Sequence, residues 1–205
     1  KVRLEEITTR LLENEPVQYI LGYAHFYGHR FRVRSGVLVP RPETELLVDK
    51  VLELARGAEG GCPPKVLDIG TGSGCIAISR ARAGCRVTAM DVSEGALSVA
   101  SENASVLNAE VVLMHENILQ PSLASDRWDV IVSNPPYVCL SEAEEMERNV
   151  LDYEPHMALF VPDSDPLIFY RAIASYALSH LVAGGWVCLE INQAFPMEMT
   201  GLLAS

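Results

Sequence analysis

Apolar positions follow two rhythms along this chain. Short aliphatic and β-branched runs at 65–69, 86–90, 110–115, 128–133 and 186–191 read as strands. Between them, apolar residues return at helical spacing over 75–83, 93–107 and 166–181, with Gly84 ending the first helix and Gly184-Gly185 the last. Strands that alternate with helices imply right-handed crossovers and a doubly wound parallel α/β sheet. Ahead of this block, Leu46 to Leu54 repeat at helical spacing as far as Gly57, and 58–64 reads as a loop. Two aromatic or β-branched runs, Ala24 to Tyr27 and Arg30 to Val33, flank Gly28-His29 as a β-hairpin. Val2, Leu4, Ile7, Leu11 and Leu12 form a helical stripe that Pro16 ends. With Lys1 rather than Met at the start, this stripe reads as the tail of a longer helical region.

The stretch with the sharpest chemistry is Val130 to Tyr137, a buried strand that stops in Asn134-Pro135-Pro136-Tyr137. Prolines fix their own φ, carry no N–H and push the preceding residue out of the helical region. Asn134 is therefore presented on stiff, extended backbone at a strand's carboxyl end, where open parallel sheets bind ligands. Its carboxamide oxygen and the unclaimed Pro135 carbonyl make two acceptors beside the Tyr137 ring. Such a set holds both N–H bonds of a planar NH2 group and leaves the nitrogen's face open to an electrophile. The bland alternative is a proline-rich turn that merely ends a strand.

The loop after the first sheet strand is Asp68-Ile69-Gly70-Thr71-Gly72-Ser73-Gly74. Glycines there permit tight turning and close backbone approach near a helix N-terminus. A dinucleotide fingerprint would place glycine at 75, where this chain has Cys75, so the loop suits a ligand without a pyrophosphate. Asp91 ends the next strand and can accept from both hydroxyls of a ribose. Asn117 follows the third strand, placed to meet an adenine amine with Ile118 against the ring. A helix cap and a turn are the bland readings of Asp91 and Asn117 taken singly. Together, the three strand ends point to an adenosine-type cofactor.

Composition narrows the classes. A chain of 205 residues with 49% hydrophobic and 21% charged residues is an ordinary globular α/β domain with flanking pieces. No apolar run approaches the ~18 residues of a membrane span, and a cytoplasmic setting follows by default. Net charge of −11 disfavours a broad phosphate-binding surface. Cys62, Cys75, Cys85, Cys139 and Cys188 form no C-x-x-C pair and read as reduced thiols. His25 and His29 belong to the hairpin, and nothing in the spacing requires a metal.

The order of glycine loop, ribose acid, adenine-side amide and Asn-Pro-Pro-Tyr resembles the S-adenosylmethionine-dependent amino-methyltransferases. More narrowly, Gln18-Tyr19-Ile20-Leu21-Gly22, Phe26-Tyr27-Gly28, Val39-Pro40-Arg41-Pro42-Glu43-Thr44-Glu45, Gly70 to Cys75, Asn134 to Tyr137 and Tyr153-Glu154-Pro155 resemble the HemK/PrmC family of release-factor glutamine N5-methyltransferases. The resemblance spans 16–193. It implies a Rossmann-like methyltransferase fold over 46–205, a hairpin linker over 16–45, and a remnant of an N-terminal helical substrate-binding domain over 1–15. The family's remaining N-terminal helices and last two strands lie outside this sequence.

By that resemblance the enzyme methylates the glutamine of the Gly-Gly-Gln loop in class I peptide chain release factors, turning S-adenosylmethionine into S-adenosylhomocysteine. Gly70, Thr71, Gly72, Ser73, Gly74, Asp91, Asn117, Ile118 and Asn134 would hold the cofactor. Asn134, Pro135 and Tyr137 would carry the chemistry, with Pro136, Arg41 and Glu43 also binding substrate. Asn117 stands where the family commonly has an acid. Phe26, Tyr27 or Tyr137 could face the sulfonium, Phe26 having a core role as its alternative. The acidic run Glu142, Glu144, Glu145, Glu147, Asp152 and Glu154 reads as a solvated face or as a rim steering a basic partner. The competitors are a nucleic-acid adenine N6-methyltransferase, which predicts a basic face, and a non-catalytic cofactor-binding module, which predicts a disrupted motif.

Overall fold

A computed structural model describes residues 4–56, 63–122 and 126–204. The loop expected at 58–64 lies mostly outside these residues, and Cys62 wholly so. The chain opens with α1 (Leu4–Leu12), α2 (Val17–Leu21) and a hairpin of β1 (Tyr23–Phe26) and β2 (His29–Arg32), followed by α3 (Thr44–Arg56). Then come β3 (Lys65–Ile69), α4 (Cys75–Arg82), β4 (Arg86–Asp91), α5 (Glu94–Val106), β5 (Val111–His115) and β6 (Trp128–Ser133). Beyond β6 lie β7 (Val138–Cys139), α6 (Arg148–Leu151), β8 (Phe160–Val161), α7 (Ile168–His180), β9 (Leu181–Leu189) and α8 (Pro196–Ala204).

The large sheet has the order β5-β4-β3-β6-β9, with every neighbouring pair parallel. Strand order reverses between β3 and β6, which opens a crevice at their carboxyl ends. Alternate residues of the central strands serve opposite faces. Val66, Val130 and Val132 meet Val48 and Val51 of α3 and Ala77 of α4 on one side. Leu67, Ile69 and Ile131 meet Ile173, Tyr176 and Ala177 of α7 on the other. Both faces are covered, so these strands read as mostly apolar runs, with Asp68 the buried exception inside β3. Each aliphatic side chain so buried contributes about 1.5–3 kcal/mol.

The largest boundary difference from expectation lies at residue 181. The helix expected over 166–181 ends at His180, and the strand expected from Trp186 already starts at Leu181. Gly184-Gly185 therefore lies inside β9 and is no helix stop. Pairing with β6 slips register between Trp128 and Val130. Gly184 has φ +78, and a Cβ on Gly185 would lie 3.0 Å from the Asp129 carbonyl oxygen. The glycines permit a bulge and a close backbone approach.

The hairpin forms with Ala24 opposite Phe31. Phe26 and Phe31 meet edge to face at 5.9 Å and join the core beneath α3, so the 16–45 segment packs against the sheet domain. Phe26 is core and does not face a sulfonium. Nor does Tyr27, whose hydroxyl donates to Asp49 at 2.6 Å. α1 buries none of its residues, and Leu4 and Leu12 are each 79% exposed. Tyr153 reaches back to donate to the Glu13 carbonyl at 2.8 Å.

Candidate active site

The glycine loop owes its shape to left-handed backbone at Gly70, Gly72 and Gly74, with φ of +72, +56 and +80. Its amides point mostly into the protein. Gly70 and Thr71 donate to the Met90 carbonyl at 2.8 and 3.0 Å, and Gly74 donates to the Thr71 carbonyl at 2.9 Å. Gly72 donates to Asp91 Oδ2 at 2.9 Å. These amides are therefore not gathered as a pyrophosphate cradle, in keeping with Cys75 at the position where the dinucleotide fingerprint has glycine.

Helix α4 begins after Gly74, which has no side chain to cap it. The missing cap comes from β3. Asp68 Oδ2 accepts from the Ala77 amide at 3.2 Å and from the Thr71 hydroxyl at 2.6 Å, placing a carboxyl at the helix's positive end. Asp68 is fully buried and its Oδ1 has no partner among the described residues. Burial pushes its pKa from 3.8 up to about 7, against the opposing pull of the Thr71 and Ala77 bonds.

A carboxyl with a raised folded-state pKa costs stability progressively as pH climbs from about 4 to about 7, and the full cost is present above that. Asp68→Asn keeps an oxygen for both donors and removes the charge. Its stability relative to wild type is expected to rise between pH 4.5 and 8 by a few kcal/mol, at about 1.4 kcal/mol per pH unit of displacement. Urea melts across that range measure the difference, and parallel pH profiles for the two proteins would contradict it.

A cavity of about 450 Å³ opens at the carboxyl ends of the sheet strands, within the roughly 300–1,000 Å³ usual for small-molecule sites. Taken in strand order, its wall presents Asn117 and Ile118 after β5, Asp91 from β4, Gly70 and Gly72 after β3, and Asn134, Pro135 and Pro136 after β6. A Cβ at Gly70 would meet nothing within 4 Å, so the loop passes the cavity through open space.

Asp91 accepts from the Gly72 and Ser93 amides, each at 2.9 Å and each on a different oxygen, and a carboxylate's four lone-pair sites leave it capacity for further donors. Burial raises its pKa, against the Ser93 and Gly72 bonds. Capping of α5 falls to Ser93, whose Oγ accepts from Ala96 at 3.2 Å. Asn117 Oδ1 accepts from Leu119 at 3.0 Å, an Asx turn that retains one acceptor site. Asp91, Asn117 and buried Ile118 line one cavity, and such acceptors beside an apolar side chain suit the ribose and adenine of an adenosyl group.

Thr71, Ser73 and Gly74 stand behind this wall. Thr71 and Ser73 are buried, and a Cβ at Gly74 would sit 2.9 Å from Ile78 Cδ1 and 3.1 Å from Ala100 Cβ. Gly74 thus lets α4 and α5 close together. Arg41, Glu43 and Tyr137 are also absent from the wall. Arg41 pairs with buried Glu154 at 2.5 Å, whose other oxygen accepts from the Val39 amide at 3.0 Å. Glu43 is exposed.

Asn134 is held from behind. Its Nδ2 donates to Thr44 Oγ1 at 3.3 Å, and Thr44 donates to Glu190 Oε2 at 2.8 Å. The Tyr137 hydroxyl donates to Glu190 Oε1 at 3.0 Å. Burial, then the Glu190 charge, raises the Tyr137 pKa and keeps that phenol a donor. Asn192 Nδ2 donates to the Tyr137 carbonyl at 3.0 Å. The Pro135 carbonyl receives no hydrogen bond from any described residue. Sequence reasoning passed over Glu190 and Asn192, and met Thr44 only inside a motif. A signal existed for Glu190, since it follows β9 much as Asn134 follows β6.

The acidic run divides. Glu142 accepts from the Cys139 amide at 2.7 Å and from Asn192 at 3.1 Å, and Asp152 pairs with Arg148 at 3.2 Å. Glu144, Glu145 and Glu147 stay exposed. Among the described residues, no helix is long and apolar enough to cross a membrane, and no group of three or more His, Cys, Asp or Glu side chains is placed to hold a metal. Cys75, Cys85, Cys139 and Cys188 are free and buried.

Comparison with known proteins gives the family. Residues 43–152 match the methyltransferase small domain. The release factor glutamine methyltransferase of Bacteroides thetaiotaomicron is 48% identical over 203 residues, covering 98% of this chain and 71% of that protein. The enzyme of the same description from Flavobacterium psychrophilum is 45% identical over 201 residues, covering 97% of this chain and 70% of that one. Among solved structures, the 16S rRNA N2 G1207 methyltransferase of T. thermophilus, in complex with AdoMet and guanosine, matches with a TM-score of 0.63 at 22% identity. That match covers 88% of this chain and 43% of the other, and speaks for the fold alone. Family-level identity along nearly the whole chain, on a fold that gathers the strand-end residues around one cavity, makes this protein a member of the release factor glutamine methyltransferase family.

Proposed function

We propose that this chain transfers a methyl group from S-adenosylmethionine to the side-chain N5 of the Gly-Gly-Gln glutamine in class I peptide chain release factors, in the cytoplasm. The observation that carries the reading is the pair of acceptors on the cavity wall, Asn134 and the unclaimed Pro135 carbonyl, on the same cavity that Asp91 lines. When bound, the cofactor supplies an electrophilic methyl carried on a sulfonium.

A carboxamide nitrogen is a poor nucleophile because its lone pair is delocalised into the carbonyl. Asn134 Oδ1 and the Pro135 carbonyl hold its two N–H bonds and aim the nitrogen. Positive charge that develops there is dispersed over both acceptors, which favours the transition state over the ground state. Asp91, Asn117 and the Gly70 and Gly72 backbone would hold the cofactor, which would give up its methyl group to that nitrogen and leave as a neutral thioether. The nitrogen then releases a proton by way of its acceptors to water. Positioning of this kind can lower a barrier by ~7–11 kcal/mol in favourable cases.

The nucleic-acid competitor needs free cations near the cavity. Arg41 is paired with Glu154, and Arg32 and Arg34 both pair with Glu102. Those pairings and the net charge of −11 support a protein substrate. The test uses methyl-labelled cofactor with release factor, DNA and RNA offered separately. Label is expected in release factor and lost when its loop glutamine is replaced by alanine. Label in nucleic acid, or in the alanine variant, would overturn the reading.

A further inference from the structure

We propose that Thr44 and Glu190 are positioning residues that decide which way round Asn134 holds its carboxamide. The inference rests on the reading above, in which Asn134 Oδ1 must face the substrate as an acceptor. An asparagine side chain turned by 180° has nearly the same shape, yet would present NH2 to the substrate's NH2 and fail to hold it. Proline neighbours fix the backbone at this position but do not choose between the two amide orientations.

The choice follows from counting protons. A threonine hydroxyl has one proton, and the 2.8 Å contact directs it to Glu190 Oε2. A carboxylate can only accept, and Glu190 does so on both oxygens, from Thr44 on one and from Tyr137 on the other. Thr44 therefore meets Asn134 as an acceptor only, and its partner at 3.3 Å must be Nδ2. Were Oδ1 turned that way, two acceptors would compete for a single proton. The opposite orientation sends Oδ1 toward the cavity.

The use of Thr44 is itself telling. Thr44 is the first residue of α3 and 3% exposed, yet it points its hydroxyl at a residue 146 positions away. The Asn134 contact spans 90 positions. Three separate segments thus converge on one amide, which accounts for Thr44 in Pro-Arg-Pro-Glu-Thr and for a carboxylate just past β9.

Thr44→Val keeps the shape and removes the acceptor; Thr44→Ser keeps the hydroxyl. Steady-state kinetics of release-factor methylation are expected to show kcat about tenfold or more lower for Thr44→Val, with Kd for S-adenosylmethionine within twofold by calorimetry. Thr44→Ser is expected to stay within about threefold of wild type. The decisive readout is a double-mutant cycle: once Asn134→Ala is present, Thr44→Val should cause no further loss. Thr44→Ala replaces Thr44→Val if the valine variant does not fold. An equal loss in both backgrounds, or a serine variant as poor as valine, would overturn the inference. Wild-type activity in Asn134→Ala alone would instead bring down the assignment of Asn134, and the inference with it.

Discussion

Asn134→Ala is expected to lower kcat for glutamine methylation by roughly 10² or more while leaving cofactor affinity within a few-fold. The substitution removes one of the two acceptors that hold the substrate amide and leaves the Pro135 carbonyl in place. Oriented acceptors act most when charge develops on nitrogen, so the loss falls on kcat more than on KM. The fold should tolerate the change. Asn134 is only partly buried, and its side chain bonds to Thr44, which keeps its partner Glu190. Single-turnover kinetics with saturating cofactor measure the effect. Turnover like that of wild type would reduce Asn-Pro-Pro-Tyr to a strand terminator.

Asp91→Ala carries the second large effect, at the other end of the cavity. Each charge-assisted bond from a carboxylate to a ribose hydroxyl contributes ~1.5–3 kcal/mol, and 1.4 kcal/mol is tenfold in affinity. Loss of roughly 10- to 100-fold in S-adenosylmethionine affinity is expected for each bond removed. Asp91 also anchors the Gly72 and Ser93 amides, so the glycine loop loosens and the loss goes beyond the direct contacts. Asp91→Asn retains one acceptor and is expected to fall between the two. Calorimetry on folded variants measures this, and unchanged affinity in Asp91→Ala would remove the ribose assignment.

The sheet was legible because β3, β4 and β6 are covered on both faces. Their runs are mostly apolar, with Asp68 and Thr88 as polar exceptions inside β3 and β4, and polar ends such as Asp91 and Asn134 punctuate them. α2 escaped notice because one helical turn is too short to establish a period. Gly184-Gly185 was misread because glycine breaks helices and permits bulges alike, and only the partner strand decides which. In the site, strand-end polarity pointed to Asp91, Asn117 and Asn134, whose places depend on local sequence. Thr44 and Glu190 depend on packing between distant segments, which no local pattern encodes. Tyr27 is one of three aromatics that could face a sulfonium on motif grounds, whereas its hydroxyl turns to Asp49 on the α3 side.

The Thr44 to Glu190 contact also imposes an order in time. During synthesis, β3 to β6 and the Asp91 side of the cavity leave the ribosome well before Glu190, which the chain reaches 146 residues after Thr44. Nascent chains that have built those strands still have an unset Asn134. An enzyme that handles the translation machinery's own factors thus completes its chemical end only when nearly all of this sequence has been made.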